Sequence, residues 1–291
     1  MAASFLHSQF VFNWRRNPPA ILGTLILVVC TVLVAFGPLL VRQNPYDLTQ
    51  LNLMDSFLPP AWLEGGNPAY LLGTDGQGRD LVAAIVYGAR ISALIGLSAM
   101  ALACTIGTTL GLIAGFYGGR VDALIMRVAD VQLSFPSMLI ALFLMSAFGT
   151  GIDKVLIALT AVGWVVYART VRGSTLGEVQ KEYVQAARVA GLSNARIIVK
   201  HVLPNVLTPL IVIATVQVGT FILIEASLSF LGVGVPITQP SLGLLIKNGF
   251  DVLFSGLWWT SVFPGLMIMA MVFGINLLGD FLRDELNPRL K

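Results

Sequence analysis

Between residues 173 and 204 the chain places Lys181, Glu182, Arg188, Arg196, Lys200 and His201, while the flanking segments ALTAVGWVVYA and VLTPLIVIATVQVGTFILI carry no charge. Charges of both signs on one short insert can pair with each other, complement helix ends or engage a partner. They do not form a catalytic set, because no nucleophile, base and orienting group come together. His201 is one of two histidines, with His7, and no Cys or carboxylate cluster surrounds it at metal-ligand spacing. Its expected role is to position the base of the following apolar run. Gly73, Gly76 and Gly78 run into Arg79 and Asp80, which invites comparison with a phosphate cradle. The spacing matches neither the Walker nor the dinucleotide pattern, and no Lys-Ser/Thr follows. A glycine-rich turn ahead of an apolar segment is the better reading. Glu225 lies within FILIEASLSF. An ionisable group in such a run faces a bundle interior or an aqueous cavity. It either lines a path through the bundle or closes an interhelical hydrogen bond near the outer end. Asp130 and Asp280 are expected to act as caps or as partners of Arg127 and Arg283. Basic residues do not alternate with aromatics, so nucleic-acid binding has no support.

The elements that must hold these groups follow from composition. Charged residues are 11% of the 291 and hydrophobic ones 56%, against about 25% charged in soluble domains. Mean hydropathy is +0.82. Such a chain uses lipid as solvent. Cys30 and Cys104 both sit in apolar runs and suggest neither a disulfide framework nor a metal site. Six apolar runs approach the about 20 residues a bilayer span needs: 20–41, 91–115, 124–148 with a kink expected at Pro136, 154–171, 205–231 and 259–281. The first, preceded by Arg15 and Arg16, is longer than a signal-peptide core and reads as an uncleaved span. Polar residues 42–90 read as a long external loop, and 232–258, with Pro236, Pro240 and Gly256, as a second. With the amino terminus inside, inner segments hold thirteen Lys and Arg and outer ones five, which accounts for all eighteen. The positive-inside rule therefore puts both termini and the 173–203 insert in the cytoplasm.

Within the insert, residues 182–190 read as a short helix with Ala186, Ala187 and Ala190 forming one small face. Gly191 suits the left-handed position after a helix, with Leu192 as its hydrophobic partner. Ser193 can cap a second helix, which Pro204 is expected to stop. This helix–elbow–helix is either a solvated loop held to anionic headgroups or a docking knob for another protein. A lipid anchor would favour Trp, Phe or Leu over alanine.

The spacing Ala186-Ala187, Gly191, Leu203-Pro204 resembles the cytoplasmic coupling loop of ABC importer permeases. Gln185 stands where that family has Glu, and His201 where it has Ile. EYVQAAR and HVLPN look like the peptide/nickel branch. LGTDGQGRD (72–80), YGARIS (87–92), GFYGGRVDALIMR (115–127), LSFPSMLIAL (133–142), EASLSFLGVG (225–234) and INLLGDFLRDELNPR (275–289) are similar to the second permease of dipeptide, oligopeptide or nickel importers. The resemblance implies an all-α integral membrane protein with six transmembrane helices and the type I importer permease fold. Residues 1–90 would hold the tail, first helix and periplasmic loop, 91–282 a five-helix core with the coupling loop 173–204, and 283–291 a cytoplasmic tail. Glu182, Tyr183, Gln185, Ala186, Ala187, Arg188, Gly191 and Pro204 would make the ATPase contact, with Glu225 a pathway candidate. The implied partners are a homologous second permease, two ATP-binding subunits and a periplasmic binding protein, in a bacterial inner membrane. No catalysis, cofactor or metal is expected of this chain; ATP and magnesium belong to the ATPases. Peptides are the expected cargo, ahead of nickel chelates, opines and glutathione-like compounds. The alternative is a stand-alone secondary transporter or channel, for which Glu225 is the sole candidate coupling residue.

Overall fold

The structure, a computed structural model, describes residues 10–41, 43–236, 238–239 and 241–286. His7, Arg42, Pro240, Arg289 and Lys291 lie outside these. The described residues are helical, with no strand. Five stretches are long and apolar enough to cross a membrane: α1 (Pro18–Leu40), α2 (Leu81–Tyr117), α5 (Ile152–Val179), the rod Asn194–Phe230, and α10 (Trp259–Leu286). A sixth crossing is available from α3 (Gly119–Leu133) and α4 (Ser137–Phe148), which meet at an angle of 88°.

Several element boundaries depart from expectation for identifiable reasons. Pro136 does more than kink a span. It caps α4 after an 88° break: Ser134 still closes a helical bond to the Asp130 carbonyl and Phe135 a tighter one to Gln132, and Pro136, with no N–H, continues neither. Helix α2 begins at Leu81, not residue 91, with Asp80 accepting a hydrogen bond from the Val82 N–H at 3.1 Å. Arg90 is thus on the helix, and the expected division at residue 90 runs through α2. Pro204 does not stop its helix. A four-residue α7 (Asn194–Ile197) passes through a π-turn at Ile198–Val202 into α8 (Leu203–Phe230), with Pro204 in its first turn. The wider π-turn supplies the register change that a missing N–H demands. Ser193 precedes α7 without a side-chain capping bond. Finally, 232–258 is not only loop. It contains α9 (Leu242–Phe250), which buries Leu242, Leu244 and Leu245.

Helix α2 is about 55 Å long at 1.5 Å per residue, nearly twice the hydrocarbon thickness. It lies along α5 through a stripe of small residues, Ala99, Ala103, Gly107, Gly111 and Gly115, all buried. A Cβ at Gly107 would stand 2.4 Å from the Trp164 carbonyl oxygen, and one at Gly111 2.5 Å from that of Ala168. Close backbone approach of this kind is how helices associate where lipid removes the hydrophobic drive. Helix α1 seats Gly23 against Leu277 of α10 in the same manner.

Two ends of the bundle are distinct. At one, the Gly151 N–H donates to the Gly234 carbonyl at 3.2 Å, and α9 packs under the 57–79 loop. At the other, Arg188 lies over the Phe116 ring and Asn13 bonds Glu285. The second end carries Arg15, Arg16, Arg120, Arg127, Arg169, Arg172, Lys181, Arg196, Lys200 and Arg283. Asp122 and Asp130 of α3 pair there with Arg172 and Arg169 of α5. Asp130 was expected to pair with Arg127, one turn away, but the partner comes from the neighbouring helix. Asp280 is exposed.

Candidate functional site

At the basic end, α6 (Glu182–Val189) stands off the bundle. Glu182 in its first turn and Arg188 in its last complement the helix dipole. Val184 and Ala187, three apart, turn inward and are buried, while Glu182, Gln185, Ala186, Arg188, Val189 and Ala190 are exposed. The small face is therefore split: Ala186 and Ala190 look outward and Ala187 packs against the core. Val189, 90% exposed, projects among the outward alanines.

The elbow closes as the sequence requires. Gly191 has φ +74°. Its N–H donates to the Arg188 carbonyl at 3.0 Å, and the Leu192 N–H to that of Ala187 at 3.2 Å. This is the paired bonding of a Schellman ending, which needs a left-handed residue at that position. A Cβ on Gly191 would meet nothing within 4 Å, so the corner faces open space.

Besides Ala187, three of the expected contact residues reach back to the bundle. The Tyr183 hydroxyl donates to the Glu178 carboxylate at the end of α5. Glu178 also pairs with Lys181 at 2.7 Å. Asn205 Nδ2 donates to Tyr183 Oη at 3.1 Å and to the His201 carbonyl at 2.7 Å. Burial and then the Glu178 bond raise the Tyr183 phenol to about 12. Gln185 Nε2 donates to the Val179 carbonyl at 2.8 Å, closing an open carbonyl at the end of α5. An ionised Glu, the family's residue there, could not donate this bond. Arg188 lies with its guanidinium 5.1 Å from the Phe116 ring centroid at the end of α2. The elbow is thus fastened to α2, α5 and α8. Pro204 sits at the root of α8, away from the corner. Glu178, Asn205 and Phe116, which hold Tyr183 and Arg188 in place, are neighbours that sequence reasoning missed. Glu178, a lone carboxylate ending an apolar helix, was the available signal.

Beside the elbow a cavity of about 790 Å³ opens along α8, lined by Val166, Asn205, Thr208, Val212, Gln217 and Arg283 among others. It is a one-sided groove with hydroxyl, amide and apolar walls. Glu225 lies elsewhere. It is 0% exposed. Ser92 Oγ of α2 donates to its Oε2 at 2.7 Å and Ser229 Oγ to its Oε1 at 2.8 Å. The Val235 N–H donates in turn to Ser229 Oγ at 3.2 Å. Glu225 therefore ties α2, α8 and the turn after α8, and lines none of the cavities described here. No group of three or more potential metal ligands is present among the described residues.

The chain is similar to known proteins. The family model described as "Binding-protein-dependent transport system inner membrane component" matches residues 107–291. The chain belongs to this family. A second model, "N-terminal TM domain of oligopeptide transport permease C", matches residues 6–60. Relatives of this transport-system component include the dipeptide transport system permease protein DppC of Haemophilus influenzae, 38% identical over 97% of this chain and 95% of that one. The di/tripeptide permease protein DppC of Pseudomonas aeruginosa is 39% identical over 97% and 92%, and the oligopeptide permease protein OppC of Bacillus subtilis 37% over 98% and 90%. Among solved structures, a chain of the MetNI methionine ABC transporter in an inward-facing conformation superposes with a TM-score of 0.56 at 18% identity, covering 69% of this chain and 96% of that one. That likeness establishes the fold: the chain is a multi-pass permease with the importer architecture.

Proposed function

We propose that this permease imports peptides, as half of a pathway shared with a homologous second permease, and is driven through the α6 elbow by two separate ATP-binding subunits. A periplasmic binding protein delivers the cargo, and ATP with magnesium is held by the ATPases. Relatives named for dipeptides, di/tripeptides and oligopeptides support the cargo class. The excess of Lys and Arg at the elbow's end supports a cytoplasmic placement for it and for both termini. The one-sided groove along α8 supports a pathway that needs a second wall.

One observation carries the coupling: a small-faced, open corner at Gly191 hung on hydrogen bonds from two spans. Ala186, Val189, Ala190 and Gly191 supply the outward surface. Tyr183, Gln185 and Arg188 convert a push on that surface into movement of α5, α8 and α2. For ATP to shift the spans, the elbow's contacts with the ATPases must differ between the two states of the transporter. The stand-alone reading needs an ionisable residue on an aqueous path, and Glu225 is sealed between two serines.

The test is Gly191→Trp in the assembled transporter. The expected result is loss of ATPase association, or hydrolysis uncoupled from transport, with the membrane spans still folded. Unchanged association and transport would defeat the coupling assignment.

A further inference from the structure

At the opposite end of the bundle a second cavity, about 260 Å³, lies between the 57–79 loop, α9 and the start of α10. Its walls include Phe57, Asp75, Gln77, Arg79, Leu245 and Asn248. Arg79 is 2% exposed. Its Nε donates to Asp75 Oδ2 at 2.6 Å. The Asp75 Oδ1 atom accepts from the N–H groups of Gln77 and Arg79 at 2.8 and 3.0 Å. Both carboxylate oxygens are therefore already occupied by this loop's own donors. The two terminal nitrogens of Arg79 have no protein partner among the described residues. They are not sealed away from solvent but belong to the cavity wall, where they can donate to a polar group that enters it.

The surroundings hold this arrangement open. Gly73 and Gly78 have φ of +82° and +70°. A Cβ on either would come within 2.4 or 2.1 Å of the carbonyl oxygens of Leu58 and Asn52. Phe57 is the one non-glycine with positive φ among the described residues. Its ring stands 2.7 Å from where a Gly76 Cβ would be. The turn is thus built tightly around Asp75 and Arg79, and both residues line the space left over.

We infer that this cavity is a carboxylate subsite on the outer face, in which the free fork of Arg79 receives the carboxylate of a residue-sized solute, Gln77 and Asn248 offer amide bonds, and Phe57 and Leu245 cover its apolar part. A planar two-nitrogen fork matches a carboxylate in a way a lone ammonium does not. The Asp75 pair orients the fork without consuming it. The inference rests on this geometry and not on the elbow's role or on peptide cargo.

N-acetylglycine and its neutral counterpart N-acetylglycinamide are the probes, titrated against the full-length protein in lipid nanodiscs by saturation-transfer NMR. The acid is expected to bind and the amide to bind at least about tenfold more weakly, the scale of a charge-assisted pair. Arg79→Gln should abolish the preference. Because that change can disturb the turn, Asn248→Trp provides an independent check: Asn248 is exposed at the rim, so the indole blocks the cavity and leaves the Asp75–Arg79 pair intact. Loss of acid binding in a normally folded Asn248→Trp protein supports the site. Equal binding of acid and amide, binding that survives Asn248→Trp, or no binding by the wild type would each overturn it.

Discussion

Replacing Gly111 by Ala should separate α2 from α5. The added methyl carbon would stand 2.5 Å from the Ala168 carbonyl oxygen, 2.9 Å from Val171 Cβ and 3.1 Å from the Arg172 backbone N. Two of these three obstacles are backbone atoms, which no rotamer change can move. The helices must shift apart by several tenths of an ångström along a contact that Gly107 and Gly115 share. Overpacking in a well-filled interface costs about 1–3 kcal/mol. Against this, Ala in place of Gly favours the helix itself by about 1 kcal/mol, so the expected net loss is about 0–2 kcal/mol, and Leu at the same position should cost more. Gly173 provides the control. It lies in α5, the other helix of this contact, is exposed, and has nothing within 4 Å of where a Cβ would stand. There the propensity gain stands alone, so Gly173→Ala should stabilise by about 0.5–1 kcal/mol. Denaturation of the purified chain in bicelles gives both values. Gly111→Leu as stable as wild type, or Gly173→Ala less stable than Gly111→Leu, would refute the account of the α2–α5 contact.

Four further outcomes follow from the elbow and the buried carboxylate. Tyr183→Phe removes the hydroxyl linking Glu178 to Asn205, so hydrogen exchange over 182–205 should rise while that of α2 is unchanged. The Tyr183 phenol is raised from its ordinary value near 10 to about 12. Its contribution to folding is therefore complete below about pH 10 and is lost as pH rises towards 12; alkaline loosening in that window should be weaker in Tyr183→Phe. Gln185→Glu loses the bond to the Val179 carbonyl and adds negative charge at the negative end of α5, which should loosen the elbow by about 1–2 kcal/mol, read as faster exchange at residues 182–192. Glu225→Ala leaves Ser92 and Ser229 without their shared acceptor and should cost about 1–3 kcal/mol, whereas Glu225→Gln, which keeps one acceptor oxygen, should cost less; thermal unfolding of the two variants checks the order.

What the sequence revealed depended on how far each signal was local. The elbow was legible because every part of it is a neighbour in the chain: Gly191 follows the last turn of α6, its N–H reaches the Arg188 carbonyl three residues back, and the Leu192 N–H reaches that of Ala187 five residues back. Asn17 and Asp80 cap helix starts within three residues, yet the start at Leu81 was not read, because the apolar run was counted only from residue 91. Groups that meet across the fold were not legible. Nothing around Tyr183 says that Asn205, on another helix, will reach its oxygen, or that Ala187 turns inward while Ala186 does not. Glu225 was left between a pathway and an interhelical hydrogen bond, because its bond to Ser92 required knowing that α2 passes beside α8. The third crossing is broken by an 88° bend that hydropathy alone does not show. Hydropathy sees residues 124–148 as one apolar stretch, yet Arg127 and Asp130 fall in its first half, and Asp130 is spent on Arg169 across the interface with α5. That half therefore lies where water can reach charge. Only α4, twelve residues and about 18 Å long, is left to enter a hydrocarbon layer about 30 Å thick. A segment too short to cross by itself is stable only if its polar end is covered by protein, and Gln132 shows how: its amide donates to the Val162 carbonyl at 3.0 Å and accepts from Trp164 at 2.9 Å. The 88° break thus lets α3 and α4 run in different directions while both stay in contact with α5.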